Sequence, residues 1–195
     1  MSTINSQSAE IMVDIETLST QSDALILTIA AIRFDRNNII KDMSVLSNSE
    51  KFYFRINKPS CVNLGMHIDP STVKWWSTQS KEAQYEVFFE EDNRVDIEYA
   101  LKMLIDFSKG CTHFWSNSPN FDYVILENAF KKCGIDAPWK FWQLRDTRTV
   151  YDLASIRLAS YTSGTFAHHA LVDCHNQIIA LQDSIRSLSK KRKSC

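Results

Sequence analysis

EIMVDIETLS, residues 10–19, decides how this chain is read. Ile11, Met12, Val13 and Ile15 form a compact apolar run of the kind a buried β-strand needs. Two carboxylates interrupt it. Asp14 and Glu16 stand two residues apart, so on a strand their side chains leave the same face. Paired acids in a buried strand repel each other and are costly to remove from water. Two readings follow. The strand lies at a sheet edge with both acids in solvent, or a divalent cation sits between them, because hard oxygen ligands suit Mg²⁺ or Mn²⁺.

Outward from that strand, Ala24–Phe34 (ALILTIAAIRF) reads as a second strand and Lys51–Ile56 (KFYFRI) as a third. Neighbouring strands with short links predict an antiparallel meander. The chain then changes character. Ser71–Gln84 has helical composition, with Ser71 as N-cap after Pro70. Val95–Lys109 carries the apolar spacing of an amphipathic helix. Thr112–Trp115 reads as a buried strand, Asn120–Lys132 as a helix, Lys140–Arg145 as a strand and Thr147–Leu158 as a helix. Ala170–Ser189 is a long final helix ahead of a basic run, Lys190–Lys193. Early hairpins followed by alternating strands and helices predict an α/β fold, a mixed sheet flanked by helices. Sites in such folds gather at strand ends and helix starts.

The 195 residues, 44% hydrophobic, suit one domain with a sizeable core. The expected organisation is a disordered lead at 1–9, a single domain at 10–189 and a basic tail at 190–195. The formal net charge is −1, so the basic footprint common in nucleic-acid binders is absent. Bound cations would supply positive charge that a residue count omits. Five scattered cysteines, Cys61, Cys111, Cys133, Cys174 and Cys195, form no Cys-x-x-Cys pair. They read as reduced thiols of a cytosolic protein. The polar N-terminus MSTINSQSAE lacks the pattern of a signal peptide, and no apolar run approaches a membrane span.

Two more acids stand where helices begin. Asp122 opens the run DYVIL, and Asp173 follows His168-His169-Ala170-Leu171-Val172. Each has a plain structural reading, since the helix dipole favours an acid in the first turn. Taken in order, Asp-x-Glu-Thr, Asn-Phe-Asp and His-x-Ala-x-x-Asp are more specific than any one of them. The stretches are MVDIETLS at 12–19, WSNSPNFDYVIL at 115–126 and HHALVDC at 168–174. They resemble the three motifs of the DEDDh 3′–5′ exonucleases, which share a ribonuclease-H-like fold. STVKWWSTQSKEA at 71–83 and PWKFWQLRDTRTV at 138–150 extend the resemblance over most of the chain, toward the Rv2179c-like and phage DexA-like exonuclease group.

The resemblance implies that Asp14, Glu16, Asp122 and Asp173 hold two divalent cations, Mg²⁺ or Mn²⁺. It implies that His168, five residues before Asp173, is the general base; His169 is the adjacent competitor. It also implies contacts of Thr17 and Leu18 with the terminal nucleotide. The expected activity is hydrolysis from a free 3′ end, releasing nucleoside 5′-monophosphates. The partner would be DNA or RNA, with DNA slightly favoured, in the cytoplasm of a bacterium or phage-infected cell. A homodimer is compatible with it. Rival readings are a non-catalytic module that grips nucleic-acid ends, and an endonuclease or phosphatase on the same scaffold. Trp75 and Trp76 are adjacent on a helix, so at most one can stack on a base. Arg145 and Arg148 read equally as phosphate contacts or as partners of nearby aspartates.

Overall fold

The structure, a computed structural model, describes residues 9–89, 93–162 and 168–193. The expected disordered lead therefore falls largely outside the described residues. Five strands form one sheet: β1 (Ala9–Thr17), β2 (Ile26–Phe34), β3 (Lys51–Arg55), β4 (Cys111–Ser116) and β5 (Leu144–Asp146). Their order is β3-β2-β1-β4-β5. The β1–β2 and β2–β3 pairs are antiparallel, as the meander reading predicts. The β1–β4 and β4–β5 pairs are parallel.

β1 is thus the central strand, which removes the solvent-edge reading of Asp14 and Glu16. Its alternation splits the core in two. Ile11, Val13 and Ile15 enter the cluster that packs under helices α4 (Ile97–Phe107) and α5 (Asp122–Lys132). Met12 enters the opposite cluster, beneath α7 (Ala170–Lys193). Asp14 and Glu16 share the face of Met12 by the same period of two. α7 presents Ala170, Cys174, Ile178 and Leu181 to the sheet, and all four are buried. The small side chains at 170 and 174 let the helix lie close, with the Cys174 thiol 3.7 Å from the carbonyls of Met12 and Ala30.

Several expected elements shift. The helix expected over 71–84 is two pieces, α2 (Pro70–Trp76) and α3 (Lys81–Gln84), and α3 runs into a π turn, Tyr85–Phe89. Asp69 rather than Ser71 caps α2, its side chain accepting from the Ser71 N–H, and Pro70 takes the first turn where its missing N–H costs nothing. Ser80 caps α3 by accepting from Ala83 N–H, which restarts the helix. A short helix, α1 (Lys58–Asn63), fills the link after β3. α6 (Thr147–Ala154) ends early, at Ser155 in the left-handed conformation. α7 continues through Lys193, so the backbone of the basic run belongs to the helix. Among the described residues, no helix is long and apolar enough to cross a membrane.

Candidate active site

Three elements converge at the C-terminal end of β1. Asp14 and Glu16 come from β1, Asp122 from the first turn of α5, and Asp173 from the first turn of α7. Together with His168 they line one open cavity of about 280 Å³. The structure therefore gathers all four acids and the histidine that the motif order singles out. Ligand atoms of Glu16, His168 and Asp173 lie within 4.8 Å of one another.

Burial raises the pKa of all four carboxyls. Burial, then repulsion from Asp122 and Asp173, holds the Asp14 carboxyl well above its ordinary range. Burial also dominates at Glu16, followed by repulsion from Asp14. Asp122, 4% exposed, is pushed up to about 7 by burial despite hydrogen bonds that favour its charged form. Asp173 is pushed up to about 6 by burial, opposed by the backbone N–H of His168. No lysine or arginine is among the described residues lining the cavity. Gln177, one turn beyond Asp173, donates from Nε2 to Asp14 Oδ1 at 2.8 Å. Its buried Oε1 has no hydrogen-bond partner among the described residues. Oxygen donors in excess, one imidazole and an orphaned amide oxygen fit hard divalent cations and their bound water.

His168 has φ 67, a left-handed backbone that costs a non-glycine residue about 1 kcal/mol or more. Burial lowers its pKa, which favours the neutral imidazole that can accept a proton. Its ring meets Trp75 edge-on, with centroids 5.0 Å apart, and Trp76 at 6.0 Å. His169 turns away from the acids. It stacks on Tyr53 at 4.9 Å and stands 3.7 Å from Glu86.

A second cavity of about 320 Å³ adjoins the first, sharing Ile15, Glu16 and Phe121. Thr17, Thr20 and Trp75 complete much of its wall. The two tryptophans part as their adjacency requires. Trp76 is 1% exposed and its indole donates to the Thr17 carbonyl at 2.9 Å, whereas Trp75 is 43% exposed. Leu18 lies in the core and lines neither cavity. The register against β2 shifts between Glu16 and Thr17, and Leu18 is held by backbone bonds to Leu25 and Asp69. Arg148 donates to the Ser118 hydroxyl at 2.7 Å on the cavity rim. Arg145 instead folds onto the carbonyls of Trp142 and Leu144.

Gln177, Asn117 and Ser118 escape the sequence reading, although each lines the cavity. The signal for Gln177 was its position four residues after Asp173, on the same helical face.

A mixed sheet with four acids and a histidine at the end of its central strand defines a nuclease of the ribonuclease-H-like DEDDh class. Within that class the chain belongs to the 3′–5′ exoribonuclease Rv2179c-like domain family, whose pattern it matches over residues 9–185. It is 24% identical over 205 aligned positions to the exodeoxyribonuclease of Enterobacteria phage T4, covering 91% of this chain and 89% of that protein. Three solved structures share the fold. The nuclease domain of 3′hExo, a DEDDh family member bound to rAMP, is 10% identical with a TM-score of 0.55, covering 92% of each chain. S. pombe Pop2p in its Mg²⁺- and Mn²⁺-bound form is 11% identical at a TM-score of 0.53, covering 91% of this chain and 82% of that one. Cell-death related nuclease 4 is 15% identical at 0.54; this chain is covered to 92% and spans 64% of that longer chain.

Proposed function

We propose that this nuclease is a divalent-metal-dependent enzyme that removes nucleoside 5′-monophosphates from a free 3′ end, with His168 as general base. The observation that carries the proposal is the meeting of a half-buried imidazole with Glu16 and Asp173 inside a cavity lined by four carboxylates. Asp14, Glu16, Asp122 and Asp173 would hold the cations, two in number by likeness to the class. When bound, such cations supply the positive charge that offsets the scissile phosphate and the departing oxygen.

The protein's own residues do the rest. A ring nitrogen of His168 takes a proton from the attacking water as its oxygen bonds to phosphorus. The bond from phosphorus to the 3′ oxygen breaks, and that oxygen takes up a proton from solvent. Gln177 fixes the Asp14 carboxylate through its Nε2 hydrogen bond. The second cavity would receive the terminal nucleoside, with the exposed Trp75 face against the base and the polar Thr17 and Thr20 beside it. Leu18, expected by resemblance to touch the terminal nucleotide as well, is buried in this structure.

DNA is the substrate we favour, because the T4 relative that aligns over most of this chain is named an exodeoxyribonuclease. The family description, an exoribonuclease domain, supports RNA as the second reading. The test is release of mononucleotides from 5′-labelled DNA and RNA oligonucleotides of one sequence, with Mn²⁺ or EDTA. Stepwise shortening in Mn²⁺ alone, faster on DNA and abolished by a blocked 3′ end, is expected. Internal cutting of the blocked oligonucleotide would make this an endonuclease. No cutting of either strand type would leave a binding module.

A further inference from the structure

Behind the histidine pair lies a polar cluster that the nuclease chemistry does not use. Tyr53 and Arg55 stand two residues apart on β3, so they share one face of the sheet edge. Both reach Glu86. Arg55 donates from Nε at 3.0 Å and from Nη2 at 2.8 Å, and the Tyr53 hydroxyl donates to the same carboxylate. His169 completes the group, its ring stacked on Tyr53 at an interplanar angle of 24° and its Nε2 3.7 Å from Glu86.

Glu86 sits in the π turn Tyr85–Phe89, a local widening of helical backbone that recurs at functional sites. The turn meets the histidine pair from two sides. Glu86 reaches His169, while Phe88 packs edge-on against Trp76 at 5.8 Å, and Trp76 in turn meets His168. His168 itself is held in a left-handed conformation that needs outside support. A surface ion pair has no reason to take in the residue next to the base. We propose that Glu86, organised by Tyr53 and Arg55, is a positioning residue that fixes the His168 imidazole through His169.

This inference rests on the reading of His168 as general base, and a double-mutant cycle separates the two. The rate of mononucleotide release is measured for wild type, Glu86→Ala, His168→Ala and the double variant, with excess enzyme and long incubation for the slow proteins. Glu86→Ala is expected to lower kcat roughly 10- to 100-fold, as a displaced catalytic group would. KM for the oligonucleotide and the Mn²⁺ requirement should stay near wild type. In the His168→Ala background the same change should alter the residual rate by less than about 2-fold, since nothing is left to position. Glu86→Gln, which keeps the shape and an acceptor oxygen, should restore part of kcat. Equal losses in both backgrounds, or no loss, would overturn the positioning role. A His168→Ala protein as active as wild type would overturn the base reading, and this one with it. If Glu86→Ala fails to fold, Tyr53→Phe run through the same cycle decides the matter: a smaller loss is expected in wild type and none beside His168→Ala, and equal losses in both backgrounds would again overturn the positioning role.

Discussion

Replacing Asp122 by Asn should stabilise the metal-free protein while abolishing its activity. The carboxyl is buried, and that burial pushes its pKa up to about 7, from about 4 in an unfolded chain. A raised native pKa means that the folded state holds the proton more tightly. Its stability is complete below about pH 4, where both states are protonated, and falls as pH rises through about 7. A gap of roughly 3 units at 1.36 kcal/mol each withholds roughly 4 kcal/mol from the metal-free fold above neutrality. Asn stays uncharged and escapes that penalty. It also turns an amide N–H₂ toward donors that favoured a carboxylate, at a cost of about 1–2 kcal/mol. The net gain is about 2–3 kcal/mol, or roughly 5–10 °C in Tm for a chain of this size. Thermal unfolding in EDTA at about pH 8 and about pH 4.5 measures it. The gain should be present at the higher pH and shrink toward zero or reverse at the lower. Saturating Mn²⁺ should raise the wild-type Tm by mass action and raise that of Asp122→Asn much less. A variant less stable than wild type in EDTA at pH 8 would refute the account of an uncompensated acid cluster.

His168→Ala should lower kcat by about 10²–10⁴-fold, the usual range for a general base, while Mn²⁺ binding measured by calorimetry persists. His169→Ala should cost less, because its ring faces Tyr53 and Glu86 rather than the acids; equal losses would reverse the assignment. Trp75→Ala should raise KM for a single strand about 5-fold or more with kcat little changed, as loss of one stacking platform does. Arg148→Ala should raise KM at low salt and make the slope of log KM against log salt shallower by about 0.7, the signature of one lost phosphate contact to a single strand. An unchanged slope would leave Arg148 as a partner of Ser118 and Asp146 alone.

The sheet was legible because its pattern is strong. The apolar run around Asp14 and Glu16 marks a buried strand, and the period of two places both acids on one face without any coordinates. Asp122 and Asp173 were legible only through their order relative to that strand, since a helix start explains either alone. What resisted reading was decided by short-range competition or long-range contact. Whether Ser77–Ser80 continues a helix or ends it depends on the Ser80 cap, worth about 1 kcal/mol, and composition does not weigh that. Helix α1 is six residues long and buries only Cys61, too little for a periodic signal. Leu18 was expected by resemblance to touch substrate, and it lies in the core just past a register shift between Glu16 and Thr17. Gln177 looks like any polar residue of an amphipathic helix until β1 is laid beneath it. The bond from Glu86 to Tyr53 and its approach to His169 join residues far apart in sequence, which no local pattern announces.

The central claim is that Asp14, Glu16, Asp122 and Asp173 hold divalent cations beside a His168 poised to take a proton. Crystals grown with Mn²⁺ and a nucleoside 5′-monophosphate, examined by anomalous scattering, test it most directly. The account predicts manganese peaks bound by these carboxylates, the nucleotide phosphate between them and the His168 ring, and the base in the cavity beside Trp75. Manganese held by other residues, or a phosphate bound at this cavity with no metal beside it, would contradict the claim.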